Sequence, residues 1–148
     1  AVRMVVIDRL GPEHADGIRQ SDGSGMSRNN RVTPETVTAW LRSFAQDPEL
    51  GESFIESLAD PEKTGTLKGR FEGLPSDIAF ACKTGYINGV SCLSGVVTDS
   101  EGGGYAFSVL CNQIPSRVPI RSAKKLQESV VDLLVDRLQS TRNAADRR

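Results

Sequence analysis

Ile78-Ala79-Phe80-Ala81-Cys82-Lys83-Thr84-Gly85-Tyr86-Ile87-Asn88-Gly89-Val90-Ser91-Cys92-Leu93-Ser94-Gly95-Val96-Val97-Thr98 is the stretch that decides the fold. It opens on a compact apolar run, residues 78–82, and then reaches Asn88-Gly89, a strong two-residue hairpin signal, before a β-rich run over 90–98. The next turn is Asp99 to Gly104, and residues 105–111 supply a third apolar run. Local pairing therefore predicts an antiparallel meander with strands at 78–86, 90–98 and 105–111.

Outward from this core the signals are helical. Downstream, a helix from about Arg121 to Leu138 carries Leu126, Val130, Leu133, Leu134 and Leu138 at helical spacing. The face bearing Leu126, Val130, Leu133 and Leu134 is expected to cover the sheet, and the charged tail 142–148 to fray. Upstream, Thr33-Pro34-Glu35 starts a helix with Thr33 as N-cap, and Val37, Trp40, Leu41, Phe44 and Ala45 form its core face. Pro48 ends it, a short helix carries Phe54, Ile55 and Leu58, and residues 61–73 return to loop. At the start, Val2, Val5, Val6 and Leu10 mark one side of a first helix, followed by a polar, glycine-bearing loop from Gly11 to Gly25.

A chain of 148 residues holds at most one domain with a single core. Its 38% hydrophobic content, with 14 glycines and 25% charged residues, is ordinary for a globular protein and excludes wholesale disorder. Eighteen Lys and Arg against 19 Asp and Glu leave a net charge of −1, so there is no electrostatic reason to expect nucleic acid or a polybasic membrane anchor. No run approaches the roughly 18 apolar residues of a membrane span, and the N-terminus reads as neither a signal peptide nor an anchor. The chain begins inside a helical pattern without an initiator Met, which leads us to expect a cut end.

Cys82, Cys92 and Cys111, with the lone His14, lack the spacing of a zinc site, so no metal is expected and the thiols read as buried small apolar groups. A hairpin centred on Glu101-Gly102 would set Cys92 opposite Cys111 and leaves a disulfide open between them. His14 reads as solvated, Trp40 as core, and Gly102-Gly103-Gly104 as a turn lacking the helix and Lys-Ser/Thr of a phosphate loop. Lys-Thr-Gly occurs twice. Lys63-Thr64-Gly65 lies among loop residues and reads as a solvated turn. Lys83-Thr84-Gly85 ends an apolar strand, where an edge could pair with an extended peptide. A positive charge, a hydroxyl donor and a residue without a side chain are what a serine acyltransferase needs there.

Three blocks then carry a resemblance: Asp22-Gly23-Ser24-Gly25-Met26-Ser27-Arg28-Asn29-Asn30-Arg31-Val32-Thr33-Pro34, Gly65-Thr66-Leu67-Lys68-Gly69-Arg70, and Lys83-Thr84-Gly85 on to Gly95. In this order and spacing they resemble the C-terminal part of the D-alanyl-D-alanine carboxypeptidase/endopeptidase family, the class C low-molecular-mass penicillin-binding proteins. The likeness runs across nearly the whole chain. It implies an α+β fold, the C-terminal portion of the three-layer α/β/α transpeptidase architecture shared with serine beta-lactamases, with residues 1–148 as the C-terminal segment of a single domain. Such enzymes use a Ser-x-x-Lys nucleophile, a Ser-x-Asn element and the Lys-Thr-Gly strand. The family places the first two upstream of the Asp-Gly-Ser-Gly block, and both are missing here. Ser122-Ala123-Lys124-Lys125 comes in the wrong order and opens a helix, while Ser27-Arg28-Asn29 matches Ser-x-Asn by letter, making Ser27 and Asn29 an alternative for that element.

By the same resemblance Lys83 supports the proton network, Thr84 faces its hydroxyl to substrate and Gly85 leaves room for the peptide. The backbone N–H of Tyr86 serves the oxyanion hole, with Ile87 beside it in the substrate-binding set. The family usually has Thr or Ser where Tyr86 stands, so a small carboxylate-binding hydroxyl is lost. Ser24, Gly25, Met26 and Arg28 would line the pocket for a stem-peptide side chain, and the Arg28 guanidinium suits the carboxylate of a diaminopimelate-type residue.

The implied reaction is attack of a serine on a D-Ala-D-Ala amide of peptidoglycan, through an acyl-enzyme that beta-lactams also form, with no metal or organic cofactor and a periplasmic or extracytoplasmic location. The implied partners are the peptidoglycan stem peptide, beta-lactams, and the missing N-terminal part of the enzyme or a homodimer mate covering an otherwise open sheet edge. Nucleic acid is not among them. The alternative is a non-catalytic fragment or degenerate homologue acting as a cell-wall-peptide binding or interaction module.

Overall fold

The computed structural model describes residues 1–61, 66, 67 and 69–145; Lys63-Thr64-Gly65 and the tail 146–148 lie outside the described residues. Helix α1 is Val2–Leu10, followed by a 3-10 turn at Pro12–Ala15, α2 at Pro34–Ala45 and α3 at Gly51–Glu56. Strands β1 (Ile78–Ile87), β2 (Val90–Asp99) and β3 (Gly104–Cys111) precede α4 (Ile120–Ala145).

The three strands form an antiparallel sheet in the order β1-β2-β3, the expected meander. Ile87 pairs with Val90, so Asn88 and Gly89 make the whole turn, with Gly89 at φ 79°, a conformation glycine adopts without a Cβ penalty. The second turn differs from expectation by one residue. Thr98 pairs with Gly104, and the Asp99 carboxylate accepts from the N–H groups of Glu101 (3.0 Å) and Gly103 (2.7 Å), building a five-residue connection. Cys111 consequently faces Ser91, and Cys92 faces Leu110. A one-residue shift sends neighbouring side chains to opposite faces, so Cys92 and Cys111 are not opposed and all three cysteines are free thiols.

Alternation along the strands gives each face its cover. Phe80, Cys82, Leu93, Val97 and Phe107 point to one side, where Val131, Val135 and Leu138 of α4 and the fully buried Leu67 complete the core. The Phe80 and Phe107 rings stack at 5.9 Å. Each such side chain contributes about 1.5–3 kcal/mol on burial. Val96, out of phase with these, is buried on the other side, where α2 lies against β2 and β3.

α4 meets the sheet through a different stripe from the one expected. Ala123, Gln127, Val131, Val135 and Leu138 are buried, Val130 and Leu134 are half-buried, and Leu126 and Leu133 are 54% and 67% exposed. Gln127 explains the error. A polar residue is accepted in the interior because its amide is satisfied, donating to Ser91 Oγ at 3.1 Å and accepting from Arg70 Nη2 at 3.1 Å. α4 also continues past the expected end to Ala145, and Arg142 pairs with Asp77 instead of fraying, which holds the Asp77 carboxyl below its usual range.

The N-terminal elements follow the expected starts and stops with two corrections. Thr33 caps α2, its hydroxyl accepting from Thr36 N at 3.1 Å, and Leu41 is buried while Phe44 stacks on Phe54 at 4.6 Å, but Ala45 is exposed. On α1 only Val6 is buried. That helix is held by charge: Arg9 donates to Ser43 Oγ (2.8 Å), Ser43 O (2.8 Å) and Asp47 (2.9 Å), its guanidinium 3.6 Å above the Phe44 ring. Val2, Met4 and Val5 remain exposed, and among the described residues no strand pairs with the outer edge of β3. No helix of the described residues is long and apolar enough to cross a membrane.

Candidate active site

β1 is an edge strand over most of its length. Among the described residues its outer side is bridged at one place, where Ala59 and Cys82 exchange two backbone hydrogen bonds of 2.9 Å each. In an antiparallel ladder the bonding direction alternates with each residue. Cys82 turns its N–H and C=O away from β2, so Thr84 and Tyr86 do the same, while Lys83, Gly85 and Ile87 are the residues that bond to β2. Beyond the Ala59 bridge the strand therefore offers the backbone groups of Thr84 and Tyr86 outward.

The side chains of this stretch are already partly organised. Lys83 is exposed and its ammonium donates to Thr84 O at 2.6 Å. Thr84 is half-buried, with its hydroxyl 2.8 Å from that of Thr66. Gly85 is exposed, and a Cβ there would sit 3.4 Å from Cys92 Cβ, an ordinary contact, so packing within the sheet does not demand glycine. Tyr86 is 65% exposed and Ile87 half-buried.

The second group is a loop built on one carboxylate. Asp22 accepts from Asn30 Nδ2 (2.6 Å), Ser24 Oγ (2.8 Å) and the N–H groups of Ser27 (2.9 Å), Met26 (3.1 Å) and Gly25 (3.2 Å). Donation from Asn30 and Ser24 above all lowers its pKa to about 2. Asn30 returns the contact, its Oδ1 accepting from Asp22 N at 3.3 Å and from Ser21 N at 2.8 Å. Ser24, Gly25 and Met26 are exposed on the outside of this loop, and Ser27 is engaged within it, its hydroxyl accepting from Asn29 N at 3.2 Å. Arg28 leaves the loop and donates through Nη2 to Asn88 O at 2.6 Å, across 60 residues of sequence.

That contact seats the loop on the tip of the β1–β2 hairpin. Arg28 thus marks the hairpin end of β1, and at about 3.3 Å per residue Lys83 stands roughly 13 Å up the strand from Ile87. Other candidates fall elsewhere. Ser122 and Lys125 are exposed in the first turns of α4, and His14 sits in the 3-10 turn, where its carbonyl accepts from the Thr36 hydroxyl at 2.8 Å. Burial pushes the Cys82 thiol up to about 12 and raises Cys92 as well, so neither is a thiolate nucleophile near neutral pH. Among the described residues no three His, Cys, Asp or Glu side chains gather to hold a metal ion. Thr66 and the Asn88 carbonyl went unassigned in the sequence, although Thr66 stands inside the second quoted block.

The chain is similar to known proteins over most of its length. The chain is 36% identical over 114 residues to a D-alanyl-D-alanine carboxypeptidase of Actinomadura sp. (strain R39), covering 70% of this chain and 20% of that protein. It is 32% identical over 106 residues to penicillin-sensitive carboxypeptidase A of Dictyostelium discoideum, covering 66% and 20%. The chain thus spans about a fifth of the length of these curated relatives. The crystal structure of penicillin binding protein 4 (dacB) from Haemophilus influenzae, complexed with a beta-lactam, aligns over 67% of this chain and 23% of its own at TM-score 0.56 and 30% identity. A beta-lactamase from Sphaerobacter thermophilus, 21% identical, shares the fold at TM-score 0.57 over 76% of this chain and 44% of its own. The α+β architecture is therefore one shared with a penicillin-binding protein and a beta-lactamase. With a family match running over residues 6–134, from α1 through the Asp22 loop and the Lys83-Thr84-Gly85 strand into α4, the chain belongs to the D-Ala-D-Ala carboxypeptidase 3 (S13) family.

Proposed function

We propose that this chain supplies the substrate-binding strand and part of the pocket of a serine-type D-Ala-D-Ala carboxypeptidase/endopeptidase acting on peptidoglycan stem peptides. Residues 1–148 are, in this reading, the C-terminal segment of one penicillin-recognising domain, and the Ser-x-x-Lys and Ser-x-Asn elements stand earlier in a longer protein. The observation that carries it is the outer edge of β1, where the backbone of Thr84 and Tyr86 turns away from β2 past the Ala59 bridge and no strand of the described residues pairs with it.

An extended peptide adds to such an edge as another strand. The Tyr86 N–H then donates to the carbonyl oxygen as negative charge develops on it, which a backbone donor does whatever the side chain. The serine oxygen bonds to the carbonyl carbon, the C–N bond breaks, and D-alanine leaves with the proton; water then hydrolyses the ester. Beta-lactams acylate the same serine, but their cleaved amide stays attached. Lys83 brings positive charge to this edge, Thr84 offers its hydroxyl to a substrate carboxylate, and Gly85 and Ile87 flank the bound backbone. Ser24, Gly25 and Met26 line the pocket for the stem-peptide side chain. Arg28 spends one N–H on Asn88 O and keeps others for a second carboxylate. Ser27 and Asn29, engaged with each other in the loop, are not used. The substrate puts the enzyme in the periplasm or outside the cytoplasmic membrane, and the chemistry needs no metal or organic cofactor.

The crystal structure of the beta-lactam adduct of the longer protein tests this. The acyl carbonyl oxygen is expected about 2.7–3.1 Å from Tyr86 N, with the beta-lactam carboxylate at Thr84 Oγ1. An adduct whose carbonyl oxygen lies away from β1 overturns the reading.

A further inference from the structure

We propose that Thr66 is a positioning residue, its hydroxyl holding the Thr84 hydroxyl with the proton turned to the outer edge of β1. This rests on the reading of Thr84 given above and goes beyond it. The two Oγ1 atoms are 2.8 Å apart although 18 residues separate them. The turn carrying Thr66 is anchored on α4. Leu67 is fully buried in the core, and Arg70 N donates to Leu67 O at 2.8 Å, closing the turn. The Arg70 side chain, 9% exposed, reaches α4 at three points: Glu128 Oε1 (2.7 Å), Gln127 Oε1 (3.1 Å) and Lys124 O (3.3 Å). Gln127 continues to Ser91 on β2. Thr66 is thus the outer end of a strut running from α4 to the site.

The direction of the hydrogen bond follows from chemistry. A hydroxyl has one proton and two lone pairs, and an ionised carboxylate only accepts. When Thr84 gives its proton to a substrate carboxylate, Thr66 must be the donor to Thr84. That donation polarises the Thr84 O–H and strengthens its bond to the anion.

The experiment measures second-order acylation of the longer protein by benzylpenicillin and by its methyl ester, which lacks the carboxylate. Four variants are compared: Thr66→Val, Thr66→Ser, Thr84→Val and the Val/Val double. Thr66→Val is expected to slow benzylpenicillin about five- to tenfold and the ester less than about twofold, with Thr66→Ser restoring the rate and the double variant no slower than Thr84→Val alone. Equal losses for both penicillins, or no loss in Thr66→Val while Thr84→Val is slow, overturn the role of Thr66. No effect of Thr84→Val overturns the reading of Thr84 itself and this proposal with it.

Discussion

Lys83→Ala in the longer protein is expected to slow acylation by benzylpenicillin by about a hundredfold or more, while Lys63→Ala changes it less than about twofold. The two lysines head identical tripeptides, so composition cannot account for a difference between them. Lys83 stands on the edge strand with its ammonium on Thr84 O, beside the outward backbone of Thr84 and Tyr86. A fixed positive charge there meets the charge that develops on substrate, and removing one such electrostatic contributor typically costs about 10²–10³ in rate. The side chain is exposed, so the same substitution is expected to leave stability within about 0.5 kcal/mol. Stopped-flow acylation and thermal melts of the two variants check both halves. Equal losses would mean that the wrong strand had been assigned to the substrate.

Gly95→Ala is expected to be the most damaging small substitution in the sheet. A Cβ at this position would lie 2.3 Å from Ala81 O, 2.5 Å from Cys82 Cβ and 2.7 Å from Cys82 Cα. Two of those three atoms are backbone, and β2 is the central strand, so relief requires β1 and β2 to separate. Overpacking costs roughly 1–3 kcal/mol where side chains can shift, and a backbone clash belongs at or above the top of that range. At roughly 3 °C per kcal/mol for a domain of this size, the midpoint should fall by about 10 °C. Gly85→Ala, whose new Cβ meets only Cys92 Cβ at 3.4 Å, should stay within about 1 kcal/mol. Melting curves for the pair decide it, and similar midpoints would contradict the strand packing.

The contrast between these glycines shows where the sequence was readable. Asn88-Gly89 specifies a local two-residue turn, so the β1–β2 pairing followed from the chain itself. The β2–β3 register slipped by one because the Asp99 carboxylate, reaching Glu101 and Gly103, closes a five-residue turn, one residue shorter than the glycine spacing suggests. Apolar spacing found α4 but chose Leu126 and Leu133, because a buried Gln127 is tolerated only through partners on β2 and in the 66–70 turn. Lys83, Thr84 and Gly85 were legible as a contiguous motif on a strand. The Ala59 bridge on their outer side was not, since it is a contact between segments far apart in the chain. Arg28 on Asn88 and Thr66 on Thr84 join residues 60 and 18 positions apart, contacts that no periodicity encodes.

Labelled penicillin followed by intact-mass and peptide mass spectrometry is the most direct test of whether these 148 residues are the strand-bearing part of a serine acyltransferase whose nucleophile lies elsewhere. The 148-residue chain alone is expected to take up no label, and the longer protein with Ser-x-x-Lys upstream to take up one beta-lactam per chain on that serine. A stoichiometric adduct on Ser27 or Ser122 of the 148-residue chain would contradict this, and so would a longer protein that takes no label, as a non-catalytic binding module would.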